Sequence, residues 1–228
     1  MKVNLLTFTP NPEQVIAAAA RQCYSKGFVG DYYLEECTAS AKKSDDEILK
    51  KVISMNHLSV LEHASFTFAV GDVSRSLTHQ LVRFRIASFS QQSQRYVKAG
   101  LSFKFVTPPS IADTPNERFF TEMMDTLADA YANLVESGVP VEDARFVLPN
   151  ACCTHIVMTM NARELLHAFS LRCCIHAQWE IRSMFNTILE QVKHLAPTVF
   201  KDAGANCVRG FCTERERSCK SNLGGNTK

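Results

Sequence analysis

Acidic residues are missing where they would be expected. Between Asp72 and Asp113 there is no aspartate or glutamate, although the chain of 228 residues carries 23 acids. Arg75, Arg83, Arg85, Arg95, Lys98 and Lys104 fall in that gap, six cations in a chain whose net charge is only +2. The overall pI near 8.1 is too mild for a surface that binds polyanions. Concentrated charge of this kind favours a discrete anion site and speaks against a nucleic-acid partner. Long hydrophobic runs are missing too. The longest stretch without a charged residue, 146 to 162, is broken by Pro149, Asn150, Thr154, His155 and Asn161, so no membrane span is expected. The apolar run near Met1 is too short for a secretory signal and lacks a small-residue cleavage site, which points to the cytoplasm.

Repeats, low-complexity linkers and a GxGxxG loop are absent as well. Nine cysteines is an odd number, and the adjacent pairs Cys152–Cys153 and Cys173–Cys174 disfavour simple bridging, so reduced thiols are expected. Cys207, Cys212 and Cys219 are separated by four and six residues and lack a fourth ligand, which matches no zinc pattern; no metal is expected. With 46% hydrophobic and 21% charged residues, the chain is long enough to bury a core as one globular domain.

Periodicity then gives the elements. VNLLTF (3 to 8) reads as a strand, and Asn11 with Pro12 opens a helix to about Tyr24. Ser44 with Glu47 predicts a capping box and a second helix with Ile48, Val52, Ile53 and Met55 on its apolar side. SFTFAV (65 to 70) alternates as a strand, and Val73, Leu77, Leu81 and Phe84 space out a helix running into the arginine-rich segment. Two short strands are expected around Gly100. Thr114 and Pro115 open a long helix with Phe120, Met123, Leu127, Tyr131 and Leu134 on one face, closed by Gly138. CTHIVMTM (153 to 160) reads as a strand, Asn161 with Glu164 caps a helix carrying Leu165, Leu166, Phe169 and Arg172, and a last helix spans about 177 to 195. The expectation is one α+β domain, residues 1–203, with long helices around a small, largely antiparallel sheet. Residues 204–228 form a polar tail that reads as loose.

The segment RFRIASFSQQSQRY (83 to 96) holds three arginines, three serines and three glutamines. Arginine presents a charged planar fork that matches phosphate oxygens in pairs, and Ser and Gln add neutral donors that set orientation. Two readings follow: an anionic ligand, or ion pairs with distant acids such as Asp125, Asp129 or Glu142.

The segment resembles the signature of the flavin-dependent thymidylate synthases, R-H-R-x2-S-x-N-x2-S-x-R, with Arg83, Arg85, Ser88, Ser93 and Arg95 in register. Other stretches extend the resemblance: LEHASFTF after His57, Gln80, DARFVLP around Arg145, NARELLHAFSLR and AQWEIR. Three positions depart: Phe84 stands for His, Ser90 for Asn, and Gln91 for a frequent Glu.

The resemblance implies a methyltransferase that makes dTMP from dUMP, with methylenetetrahydrofolate as carbon donor, FAD as flavoprotein cofactor and NADPH as reductant. It implies a homotetramer whose sites are shared between subunits, and no cysteine nucleophile. Carried over residue by residue, dUMP would meet Gln80, Leu81, Val82, Arg83, Gln91, Gln92, Ser93, Gln94, Arg95, Arg145 and Arg172. Arg95, Arg145 and the Ser93 hydroxyl would take the phosphate, with Arg172 facing the uracil ring; Arg172 and Ser93 are the catalytic candidates. FAD would lie along Ser59, Arg83, Phe84, Arg85, Gln91, Asn161, Ala162, Arg163 and His167, with His57 and Glu62 nearby. A second reading, resting on Phe84, is a homologue that binds FAD or a nucleotide without full turnover.

Overall fold

Three helices begin where one side chain takes up N–H groups that a first turn leaves unpaired. Ser74 Oγ accepts from Leu77 N at 3.1 Å, opening α4 (Arg75–Leu81). Asn161 Oδ1 accepts from Glu164 N at 2.8 Å, opening α7 (Ala162–Arg172). Gln178 Oε1 accepts from Glu180 N and Ile181 N, both at 3.0 Å, opening α8 (Trp179–Leu195). The structure, a computed structural model, describes residues 1–33, 39–99, 103–210, 212, 214, 218 and 219.

The remaining elements are β1 (Lys2–Phe8), α1 (Pro12–Tyr24), α2 (Gly30–Tyr33), α3 (Ala39–Ser54), β2 (Ser65–Ser74), β3 (Ala87–Gln91), α5 (Asn116–Glu136), α6 (Val141–Ala144) and β4 (Cys153–Asn161). Single 3-10 turns lie at Leu58–His63, Arg145–Val147 and Asn206–Arg209. The strands form one small antiparallel sheet in the order β1-β2-β4-β3. The class is therefore α+β, as the periodicity predicts.

Several local expectations are corrected. Asn11 sits in the left-handed region at φ 47° and makes no side-chain cap, so Pro12 alone marks the start of α1. α3 starts at Ala39, five residues before the expected box, and Ser44 lies inside it. Ala, Ser, Ala, Lys and Lys contain no breaker, so the helix propagates backwards. Leu49 and Val52 of α3 are buried, while Met55, just past its end, is exposed. The helix after β2 stops at Leu81; Val73 belongs to β2, and Phe84 lies beyond the helix. The arginine segment instead contains β3, because Ala87, Phe89 and Gln91 alternate with Ser88 and Ser90 as a strand requires. In place of two strands around Gly100 there is one isolated bridge, Phe105 to Cys152; Gly100 itself lies outside the described residues. On α5, Met124, Ala128 and Tyr131 are buried, whereas Met123 is exposed. Gly138, at φ 89°, ends that helix as expected.

The residues group into two compact units, and each strand contributes residues to both. In the first unit, Val70, Val73, Leu77, Leu81, Ile156 and Met158 are buried. A second cluster there joins Phe103, Met124, Ala128 and Cys152, bordered by Phe105 and Phe120. In the second unit a relay of rings forms the core. Phe8 stacks on Phe66 at 6.4 Å; Phe66 meets Phe200 at 5.7 Å, Phe200 meets Phe169 at 6.0 Å, Phe169 meets Phe185 at 6.1 Å, and Phe185 meets Phe84 at 5.9 Å. All but the first are edge-to-face, the arrangement that the ring quadrupole favours. Phe84 is the last ring of this relay.

Candidate active site

In the first unit, Arg75, Arg95 and Arg145 lie near one another, and Arg95 pairs with a carboxylate. Arg95 pairs with Glu142 through Nη2 at 2.8 Å and Nε at 2.9 Å. Arg145 donates from Nε to the Glu142 backbone carbonyl at 2.9 Å. Arg75 donates to Gln94 Oε1 at 3.2 Å. Burial lowers the Arg75 pKa; nearby Cys152 pulls it back and the like charge of Arg145 lowers it further. Arg75 and Arg145 are thus close enough to repel, which leaves a surplus of positive charge there beside Glu142 and Asp143. The expectation that an arginine pairs with Glu142 holds for Arg95.

The other expected residues of this unit sort by side chain. Gln91 donates to Thr78 Oγ1 at 2.9 Å, which fixes its amide at the end of β3. Ser93 Oγ accepts from Arg95 N at 3.1 Å and so turns the loop beneath Arg95. Gln92, Val82 and Arg83 are exposed and Gln80 is half-buried. Leu81 is fully buried in the core, so only its backbone is left to face a ligand. Burial pushes the Cys152 thiol up, against the opposing pull of Arg75 and Gln94, so the sulfur beside the cluster is a protonated thiol and not an activated nucleophile.

In the second unit, the Arg172 guanidinium lies over the Phe84 ring, 5.5 Å from its centroid. His167, one turn earlier on α7, meets the same ring edge-on at 6.0 Å. Arg163 is paired with Glu62 at 2.5 Å across the 3-10 turn that also carries Ser59. Asn161 spends its Oδ1 on the α7 cap, and Ala162 N donates to Ala64 O at 2.8 Å, so these two shape the turn. His57 shares a hydrogen bond with Tyr24 Oη at 2.9 Å. Arg85 is exposed.

Sequence reasoning missed Arg75 and the paired role of Gln94 with it. Arg75 lies eight residues before the signature, and only the acid-free gap pointed to it. Among the described residues, no cluster of three His, Cys, Asp or Glu is placed to hold a metal ion, and no helix is long and apolar enough to cross a membrane.

Residues 4–198 match the family described as thymidylate synthase complementing protein. Over 222 residues the chain is 52% identical to the flavin-dependent thymidylate synthase of Geobacter sulfurreducens, which covers 96% of this chain and 94% of that relative. It is 46% identical to the enzyme of that name from Clostridium tetani, covering 96% and 93% of the two chains. With the one from Pyrococcus horikoshii it shares 41% identity over 95% and 91%. These relatives lend no support to a binding homologue without turnover. The signature in register, the arginine cluster and the extent of the likeness agree, and the chain belongs to the flavin-dependent thymidylate synthase family.

Proposed function

We propose that this enzyme converts dUMP to dTMP with methylenetetrahydrofolate as carbon donor, FAD as cofactor and NADPH as reductant. The observation that supports the reading is the group formed by Arg95 on the Glu142 carboxylate, Arg145 on the Glu142 backbone carbonyl, and Arg75 close enough to Arg145 to repel it. The Arg95 and Glu142 side chains are 51% and 48% exposed. Exposed pairs contribute only about 0.2–1 kcal/mol, so a phosphate dianion can take over from Glu142 as the partner of Arg95. Ser93, whose oxygen already accepts from Arg95 N, keeps its O–H to donate to that phosphate.

The second unit suits FAD by its donor set. Arg163 stands in the first turn of an 11-residue helix, where the positive helix end and a guanidinium both favour a pyrophosphate. Arg85, Ser59 and the exposed His167 add further donors, and Arg163 would exchange Glu62 for the ligand. When bound, the flavin supplies the hydride chemistry. The chain's own part is to hold charge in place. Arg172, kept in position by the Phe84 ring, would face the uracil N3 and O2 and stabilise negative charge there. Residues 1–203 carry this chemistry, in a cytoplasmic homotetramer of about 100 kDa, four copies of the 25.5 kDa chain, with sites shared between subunits.

The test is direct: the purified protein is incubated with dUMP, methylenetetrahydrofolate, NADPH and FAD, and dTMP is separated and quantified. The expected result is dTMP only when all four are present. Folded, flavin-loaded protein that makes none overturns the reading.

A further inference from the structure

Two glutamine amides, at the end of β3 and in the loop after it, are pinned by buried side chains. Gln91 donates from Nε2 to Thr78 Oγ1 at 2.9 Å, and Thr154 Oγ1 lies 3.4 Å from the same nitrogen. Gln94 accepts at Oε1 from Arg75 Nη2 at 3.2 Å and turns its Nε2 toward Cys152 Sγ, 4.0 Å away. Thr78 is 1% exposed and Cys152 4%, so neither is open to a ligand at the surface. Ser93 lies between the two glutamines, and Arg95 directly follows the second.

Hydrogen-bond chemistry fixes the direction of each pin. The Thr78 O–H is already given to the Arg75 carbonyl at 3.0 Å, so toward Gln91 its oxygen accepts. Position 91 must therefore bring a donor, which an ionised carboxylate in place of the amide could not supply. Arginine donates and never accepts, so Gln94 turns its oxygen to Arg75 and its nitrogen to the sulfur. Arg75 joins the two pins. Its carbonyl holds Thr78, its guanidinium holds Gln94, and its N–H donates to the Cys152 carbonyl at 3.1 Å. The first turn of α4, the residue before β4 and the loop after β3 thus form one hydrogen-bonded frame within the first unit.

We propose that Thr78 and Cys152 are positioning residues for the dUMP phosphate. They act through Gln91 and Gln94, which hold the loop in the shape that aims Ser93 and Arg95. This rests on the proposed function, which places the phosphate at that loop. A loop that reaches its binding shape only part of the time loses affinity in proportion to that fraction. Pins on both sides of Ser93 leave little ordering for the ligand to supply.

The test uses the full chain loaded with FAD, titrated calorimetrically with dUMP and with deoxyuridine, the nucleoside without the phosphate. Thr78→Val keeps the side-chain shape and removes the hydroxyl. It should weaken dUMP about tenfold, the size of one lost hydrogen bond whose partner stays unsatisfied, and leave deoxyuridine unchanged. Thr78→Ser restores the hydroxyl and should recover most of the loss. Cys152→Ala should act in the same direction, and Cys152→Ser, which keeps an acceptor, more weakly; this pair carries the comparison if Thr78→Val does not fold. In the Arg95→Ala background Thr78→Val should cost less than in the wild type, because one of the two groups it aims is gone. Folded Thr78→Val and Cys152→Ala variants that bind dUMP as the wild type does overturn the proposal. So does an equal weakening of dUMP and deoxyuridine, the mark of a general structural role. Wild-type protein that binds dUMP no better than deoxyuridine overturns the phosphate assignment and the inference with it, while the dTMP assay decides the activity separately.

Discussion

The guanidinium of Arg172 rests on the ring of Phe84, 5.5 Å from its centroid, and Phe84 is itself 6% exposed. The ring is held from behind by Phe185, and through it by Phe169 and Phe200. A charged side chain at the end of α7 is therefore positioned by the aromatic core and not by a surface ion pair alone. Where the signature has histidine, this chain has a ring without a polar atom, and its π face takes the arginine.

The first prediction tests that coupling. Phe84→Leu keeps apolar volume but removes the π face and the edge contacts. It should lower unfolding stability by about 1–3 kcal/mol, through lost ring contacts and imperfect refilling. A double-mutant cycle with Arg172→Met, followed by urea denaturation, should return a coupling of about 0.5–2 kcal/mol. Strict additivity would show that the ring does not hold the arginine.

The second prediction concerns Arg75. Arg75→Met removes one charge from the cluster and one repulsion with Arg145. Affinity for dUMP, read by titration calorimetry, should fall about tenfold to a hundredfold, the range of a charge-assisted contact. Thermal stability without dUMP should not fall. The opposite pattern, lost stability with unchanged affinity, would make Arg75 a structural residue of the first unit.

Much of this was legible in the sequence, and the failures have physical causes. β1, β2 and β4, together with α5, α7 and α8, follow from alternation, helical spacing and caps such as Asn161. β3 was hidden because Ala87–Gln91 has only one strong strand former, Phe89, and is extended through its sheet partner. The supposed caps at Asn11 and Ser44 failed because a residue type permits a cap without requiring one. The charge gap singled out Arg75 and Arg95, yet it could not say that Glu142, 47 residues from Arg95, would come to pair there. Partners so distant in sequence are set by the tertiary fold.

A third prediction follows from Glu13. Its Oε1 accepts from Thr198 N at 2.6 Å and Val199 N at 2.9 Å. Burial raises its pKa above the ordinary value of 4.5; the two N–H groups pull it down, and Asp46 pushes it up again. The folded state thus holds the proton more tightly than the unfolded one. That contribution is fully present below about pH 4.5 and is lost as pH rises through the folded pKa. Glu13→Gln keeps an oxygen for both N–H groups and removes the charge. The variant should be more stable than the wild type at neutral pH, and the gap should close on acidification, as melting curves across pH will show. A gap independent of pH would mean that the charge is not the cause.

The last prediction separates two arginines by the step each serves. Arg95, held by an exposed pair with Glu142 and by the face of the Tyr96 ring, is assigned to the phosphate. Arg95→Ala should weaken dUMP binding about tenfold to a hundredfold, and saturating dUMP should restore the rate. Arg172 is assigned to charge that grows on the pyrimidine as the ring accepts hydride. An interaction made mainly in the transition state lowers the rate even when the site is full. Arg172→Ala should therefore oxidise its bound flavin slowly at saturating dUMP and methylenetetrahydrofolate. Reduction by NADPH should survive in both variants, since neither residue is placed on the nicotinamide. Stopped-flow absorbance resolves the two half-reactions. If Arg172→Ala reaches the wild-type oxidation rate once dUMP saturates, Arg172 only binds, and the charge-stabilising role passes to another residue of the site.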